Sequence, residues 1–193
     1  MSQSAEMTQI KTEVSETGDM IRTATVGAIN GQILYRFDLK RVWDPFGPMV
    51  NFIMLNPSTA DAIEDDPTIR RCIGFARSWG HGGIIVTNLY AWRATNPRRL
   101  RDKIKFGNER EAIGHNNASF ILQHAKESQL VVAAWGTHAG IRGKGVLAEL
   151  QARGIFPQAL RLTAAGDPCH PLYLPGELVA KPIPRQSDPE RVL

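Results

Sequence analysis

The sequence predicts an α/β fold, a three-layer α/β/α arrangement built on a central, mostly parallel sheet of about four strands with an N-terminal β-hairpin at one edge. Three observations carry this. Short apolar runs at residues 49–55, 84–86 and 130–134 have the length and character of buried strands. Helical apolar patterns fill the stretches between them. Asn30-Gly31 separates two loosely alternating segments, and this dipeptide suits a two-residue hairpin turn because both positions accept positive φ.

Residues 1–20 are polar and acidic and lack the apolar core of a signal peptide, so they read as a disordered leader. A single domain is expected over residues 21–180, followed by an extended C-terminal tail over 181–193. The hairpin comes first, from residues 23–28 and 32–39. Pro45, Gly47 and Pro48 then break the pattern before the apolar run that ends at Leu55. Residues 67–79 carry a helical stripe of Ile69, Cys72, Ile73, Ala76 and Trp79, with Asp66 as the natural N-cap and Pro67 suited to the first turn. Gly80, Gly82 and Gly83 end that helix, and the next strand reaches Asn88. Helical patterns follow at about 109–128 and 144–153, around a strand at 130–134, and a weaker strand lies at 159–163.

The chain of 193 residues is long enough for one substantial core. No stretch approaches the roughly 20 apolar residues of a membrane span, so no membrane partner is expected and the expected location is the cytoplasm. Cys72 and Cys169 stand far apart with no CxxC spacing, which points to free thiols and to neither a zinc site nor a disulfide framework. Lys and Arg total 23 against 19 Asp and Glu, a small excess, but Arg93, Arg98, Arg99, Arg101, Lys103 and Lys105 concentrate it in one segment. Such a cluster can track phosphates, or it can be a solvated surface.

In an open parallel sheet the strand-to-helix loops emerge beyond the carboxyl ends of the strands, and ligands bind there. The unusual residues of this chain fall in those loops. Asn56, Pro57, Ser58, Asp61, Asp65 and Asp66 follow the first strand, and Asn88, Trp92 and Arg93 the second. Trp135 and His138 follow the third, and His170 and Tyr173 come late in the chain. Asn56 and Ser58 can hydrogen-bond a ligand or cap a local turn. Asp61 and Asp65 are candidates for a general base or a water-positioning carboxylate, whereas Asp66 is accounted for as a cap. His170, set before Pro171 in Cys169-His170-Pro171, can act as acid or base or donate to a developing charge. Trp92 and Trp135 can stack a base or seal the rim of the core. The Gly-rich stretch around His138 lacks the spacing GxxxxGK[ST], which excludes a Walker-type loop. No cofactor and no metal site are expected.

Arg41-Val42-Trp43-Asp44, residues 52–60, 65–79 and 88–95, Ala134-Trp135-Gly136 and residues 170–174 together resemble the domain-of-unknown-function family 1643 of bacteria and phages, from about Arg41 to Pro175. That resemblance implies no particular activity. More distantly, a strand ending in Asn56-Pro57, a strand ending in Asn88, a strand ending in Trp135-Gly136 and a late His170-Pro171 are similar to the uracil-DNA glycosylase superfamily. The similarity implies that Asn56-Pro57 holds the hydrolytic water and Asn88 reads the base edge. It also implies that His170-Pro171 stabilises the leaving base, with Leu172 or Tyr173 as a wedge. Two features depart from the superfamily: Leu172-Tyr173 stands where Ser-Pro follows His-Pro, and no iron-sulfur cysteine set is present.

The expected function is a nucleic-acid or nucleotide-directed enzyme cleaving an N-glycosidic bond, with DNA or a nucleotide as partner and the oligomeric state left open. Two other classes compete. One is a non-catalytic module binding a nucleotide, a modified base or a protein; the other is metal-assisted phosphoester hydrolysis through the Asp cluster and His170.

Overall fold

The computed structural model describes residues 9–184. In chain order the elements are β1 (Gln9–Thr17), β2 (Met20–Ile29), β3 (Gln32–Val42), β4 (Met49–Met54), α1 (Pro67–Ser78), β5 (Gly83–Asn88), α2 (Pro97–Phe106), α3 (Glu109–Ile113), α4 (Asn117–Glu127), β6 (Leu130–Ala133), α5 (Gly140–Ala152) and β7 (Gln158–Ala159), then a short 3-10 turn (Pro171–Tyr173) and β8 (Lys181–Pro182). The strands form one sheet in the order β1-β2-β3-β5-β4-β6-β7-β8.

Local chemistry accounts for several of these boundaries. Asn30 and Gly31 both have positive φ, which the tight β2–β3 turn requires. The Asp66 carboxylate accepts the Ile69 N–H at 2.9 Å and Pro67 opens α1. Asn96 caps α2 in the same way, accepting from the Arg98 N–H at 2.9 Å.

β4 shows how the sheet is held. Val50, Phe52 and Met54 pack with Ile69, Cys72, Phe75 and Ala76 of α1, whereas Ile53 packs with Ile121 and Ala125 of α4 and Val146 and Leu150 of α5. Alternate side chains of a strand leave on opposite faces, so helices cover this part of the sheet from both sides. Fully burying one such side chain stabilises by about 1.5–3 kcal/mol.

The sheet itself differs from the expectation. It has eight strands and is mostly antiparallel: β1–β2, β2–β3, β3–β5 and β7–β8 are antiparallel, and parallel pairing is confined to β4 with β5, β4 with β6, and a single register pair between β6 and β7. The hairpin is not at an edge, because β1 lies outside it and β3 joins it to β5. β1 occupies much of the expected leader; residues 1–8 of that leader lie outside the described residues, as do 185–193 of the expected tail, whose first residues form β8. β1 is polar because most of it faces solvent, and a mostly exposed strand has no apolar alternation to read. Its turn, Gly18-Asp19, was the available signal.

Two helices also differ. The helix expected over 109–128 is divided into α3 and α4, where Gly114 and Asn116 adopt positive φ. α5 begins inside the expected Gly-rich loop, at Gly140, and Gly143 lets it pack closely on Trp135 in the segment after β6: an added Cβ would lie 2.8 Å from Ala139 Cβ and 3.0 Å from Trp135 Nε1.

Candidate functional site

β4, β5 and β6 run parallel, so their carboxyl ends open on the same edge of the sheet. A cavity of about 400 Å³ lies there, within the range of small-molecule sites. Of the residues singled out in the sequence, Asn56, Ser58, Asn88, Trp135, His138, His170 and Tyr173 line it. Asp66, which the sequence accounts for as a helix cap, lines it too, as do Arg36 and Thr68, which were not site candidates.

Asn88 closes β5 and is 1 % exposed, yet neither Oδ1 nor Nδ2 has a hydrogen-bond partner among the described residues. A buried amide left unpaired costs about 1–3 kcal/mol, so a ligand presenting one donor and one acceptor would satisfy both atoms. His170 is the N-cap of the 3-10 turn, and its Nδ1 accepts the Leu172 N–H at 3.3 Å. In the neutral ring the proton therefore sits on Nε2, which becomes a donor. Burial pushes the imidazole below its ordinary pKa, and the charge of Asp66 opposes that shift.

Arg36 is 2 % exposed. Its Nη1 donates to Ala60 O at 2.6 Å, and its Nε is buried without a partner among the described residues. Burial lowers it to about 10, against the raising effect of Asp66. Asp66 is the only carboxylate on the cavity wall among the described residues. One oxygen caps α1; the other has no hydrogen bond among the described residues.

Other candidates lie elsewhere. Asp65 is held between Arg41 Nε at 2.7 Å and Arg22 Nη1 at 2.8 Å, an ion-pair network that fastens the 61–66 loop to β2 and β3. Asp61 accepts the N–H groups of Ile63 at 2.8 Å and Glu64 at 2.9 Å. Burial pushes the Asp61 carboxyl up, but those two bonds together with the charges of Arg93 and Arg41 outweigh it and hold the group below its ordinary value, the opposite of a tuned general base. Neither carboxylate lines the cavity, and among the described residues no group of three or more His, Cys, Asp or Glu side chains is placed to hold a metal ion. Their side chains are claimed by partners that the loop sequence does not reveal.

Pro57 is buried and its carbonyl accepts both Asn56 Nδ2 and the Ala94 N–H. Asn56 Nδ2 also donates to Ala94 O at 2.8 Å, so the Asn-Pro loop is clamped to the segment after β5. Arg93 donates to Ser58 O and Thr59 O, stitching the same two loops from outside the cavity. Trp92 pairs with Tyr35 as an isolated bridge and packs against the core instead of the cavity. Trp135 is 4 % exposed and packs in the α4–α5 core while also lining the cavity. Tyr173, 88 % exposed, and His138, also exposed, stand at the mouth.

The basic segment forms α2, anchored by buried Leu100, with Arg98, Arg99 and Arg101 exposed and Lys103 paired with Glu111. Among the described residues no helix is long and apolar enough to cross a membrane.

No curated protein and no solved structure matches the chain. A family described as "Protein of unknown function (DUF1643)" matches residues 36–172, which runs from the cavity's Arg36 past His170 and covers well over half of the sequence. The chain belongs to that family.

Proposed function

We propose that the cavity binds a nucleoside unit and that the protein is a nucleic-acid- or nucleotide-directed enzyme cleaving its N-glycosidic bond. The observation that carries this reading is Asn88, whose amide is buried at the cavity wall with both polar atoms unpaired. A nucleobase edge offers the matching donor and acceptor side by side. The distant similarity to uracil-DNA glycosylases assigns the same role to a strand-end Asn.

In the proposed reaction a water held by the free Asp66 oxygen attacks the anomeric carbon. The new C–O bond forms as the C–N bond breaks, the electron pair leaves with the base, and the water proton passes to Asp66. The Nε2–H of His170 donates to the base as it gains charge. Tyr173 at the mouth is the aromatic placed to cover the bound unit. The exposed arginines of α2 would track phosphates if the substrate is a polymer.

Incubation with free nucleotides and with oligonucleotides carrying deaminated or modified bases, followed by chromatography for released base and by an abasic-site assay, tests this. Base release is expected, falling by about 10²–10³-fold in Asp66→Asn and in His170→Gln. No release across the panel, with no binding at low salt, ends the reading. A non-catalytic binding module is favoured by one observation, that Asp66 and His170 each have a capping role. That alternative predicts saturable binding without turnover.

A further inference from the structure

We infer that the inner end of the cavity is an oxyanion subsite in which Arg36 grips a phosphate or carboxylate of a small ligand. Arg36 uses Nη1 on Ala60 O, while Nε is buried and unpartnered and Nη2 makes no hydrogen bond among the described residues. The Nε–Nη2 edge of a guanidinium is one of its two bidentate faces, with parallel N–H bonds spaced for the two oxygens of a carboxylate or phosphate. That entire edge is unused.

Arg41, on the same strand, is the internal comparison. It is also buried, but its Nε donates to Asp65, its Nη1 to Lys40 O and its Nη2 to Asp61 O. Arg41 is thus saturated at every nitrogen, whereas Arg36 keeps a free edge; Arg22 and Arg71 also have a buried Nε without a partner among the described residues, but of these three only Arg36 lines the cavity. Arg36 forms no ion pair among the described residues. The charge of Asp66 acts on Arg36 from the same wall, but the two form no hydrogen bond or ion pair among the described residues.

The placement also selects ligand size. Arg36 is almost completely buried whereas Tyr173 and His138 are exposed at the mouth, so the anion sits at the far end from solvent. A terminal phosphate or carboxylate of a small molecule reaches that depth; a phosphodiester continuing on both sides into a polymer does not. The subsite stands on these groups whether or not the cavity cleaves a glycosidic bond.

The test titrates the intact protein with inorganic phosphate, acetate, uridine and uridine 5′-monophosphate by calorimetry and thermal unfolding, with chloride matching the ionic strength. Saturable binding of phosphate or acetate is expected, the stronger of the two identifying the anion, and the free nucleotide should exceed its nucleoside by about tenfold. Arg36→Gln should remove that difference, with Arg36→Lys retaining part of it. Should Arg36→Gln not fold, Asn88→Asp, which places a carboxylate on the same wall, should weaken anion binding by about tenfold. No saturable effect of either anion on the wild type overturns the subsite, as does anion binding unchanged by these substitutions. Anion binding without base release from any nucleotide would retain the subsite and remove the glycosidic reading.

Discussion

Replacing Asp65 separates a structural from a catalytic carboxylate. Its side chain is 10 % exposed and that of Arg41 is 0 % exposed, and the two are joined at 2.7 Å. Removing one partner of a buried pair costs about 3–5 kcal/mol, because the remaining charge keeps its desolvation penalty. Arg41 retains the Lys40 and Asp61 carbonyls as acceptors, and Arg22 can turn toward water, which places Asp65→Ala at the low end, about 3 kcal/mol. Asp65→Asn keeps one oxygen for Arg41 Nε and costs about 2 kcal/mol, the loss of a charged hydrogen bond. With a urea slope of about 2 kcal/mol/M, the Asp65→Ala midpoint falls by about 1.5 M. Ligand binding measured well below that midpoint should match the wild type. A variant within about 0.5 kcal/mol of wild-type stability that has lost binding or turnover would refute the structural assignment and return Asp65 to the site.

Three further outcomes are expected. Asn88→Leu replaces two unpaired buried atoms by methyl groups on a side chain of the same branching that can extend into the cavity, so it should raise stability by about 1 kcal/mol in urea unfolding while abolishing ligand binding; a loss of stability in both Asn88→Leu and the smaller Asn88→Ala would mean that the amide has partners in the folded protein. Asp38 lies buried against His124 Nε2 at 2.9 Å, and although burial pushes its carboxyl up, the His124 hydrogen bond and charge outweigh it and lower it overall. Its contribution is therefore present above the unfolded carboxylate value of about 3.9 and lost as pH falls through the folded value, so the stability gap between wild type and Asp38→Asn should close below about pH 4. His170 is shifted down, so the unfolded chain takes up its proton first: stability from this group is full above about pH 6.5 and falls as pH drops through the folded value. His170→Gln should flatten that segment of a urea-midpoint against pH curve, and an NMR titration of His170 at or above pH 6.5 would contradict the assignment.

The candidate site was partly legible because its backbone signals are local. A buried strand that stops at Asn88, or at Leu55 before Asn56-Pro57, announces where a loop leaves the sheet, and seven of the residues chosen on that ground line the cavity. Side-chain commitments were not legible. Asp61, Asp65 and Asp66 are indistinguishable carboxylates in one short loop, and what sorts them is Arg41, which lies 24 residues before Asp65 and reaches it only after β3 has paired. Arg36 was missed because an arginine in an alternating strand reads as a solvent-facing residue; the register shifts between β2 and β3 disturb that alternation.

By itself the sequence determined the features that depend on neighbours a few residues apart: the Asn30-Gly31 turn, the Asp66-Pro67 start of α1, the apolar strands and the α/β class. Only the tertiary structure decided that β1 extends the sheet, that most strand pairs are antiparallel, and that Asp66 with Arg36 faces the cavity in place of Asp61 and Asp65. The division has a physical cause. Turn and cap preferences come from the local backbone, whereas strand partners and the pairing of buried charges are set by contacts between distant segments, which form only when the chain has closed on itself.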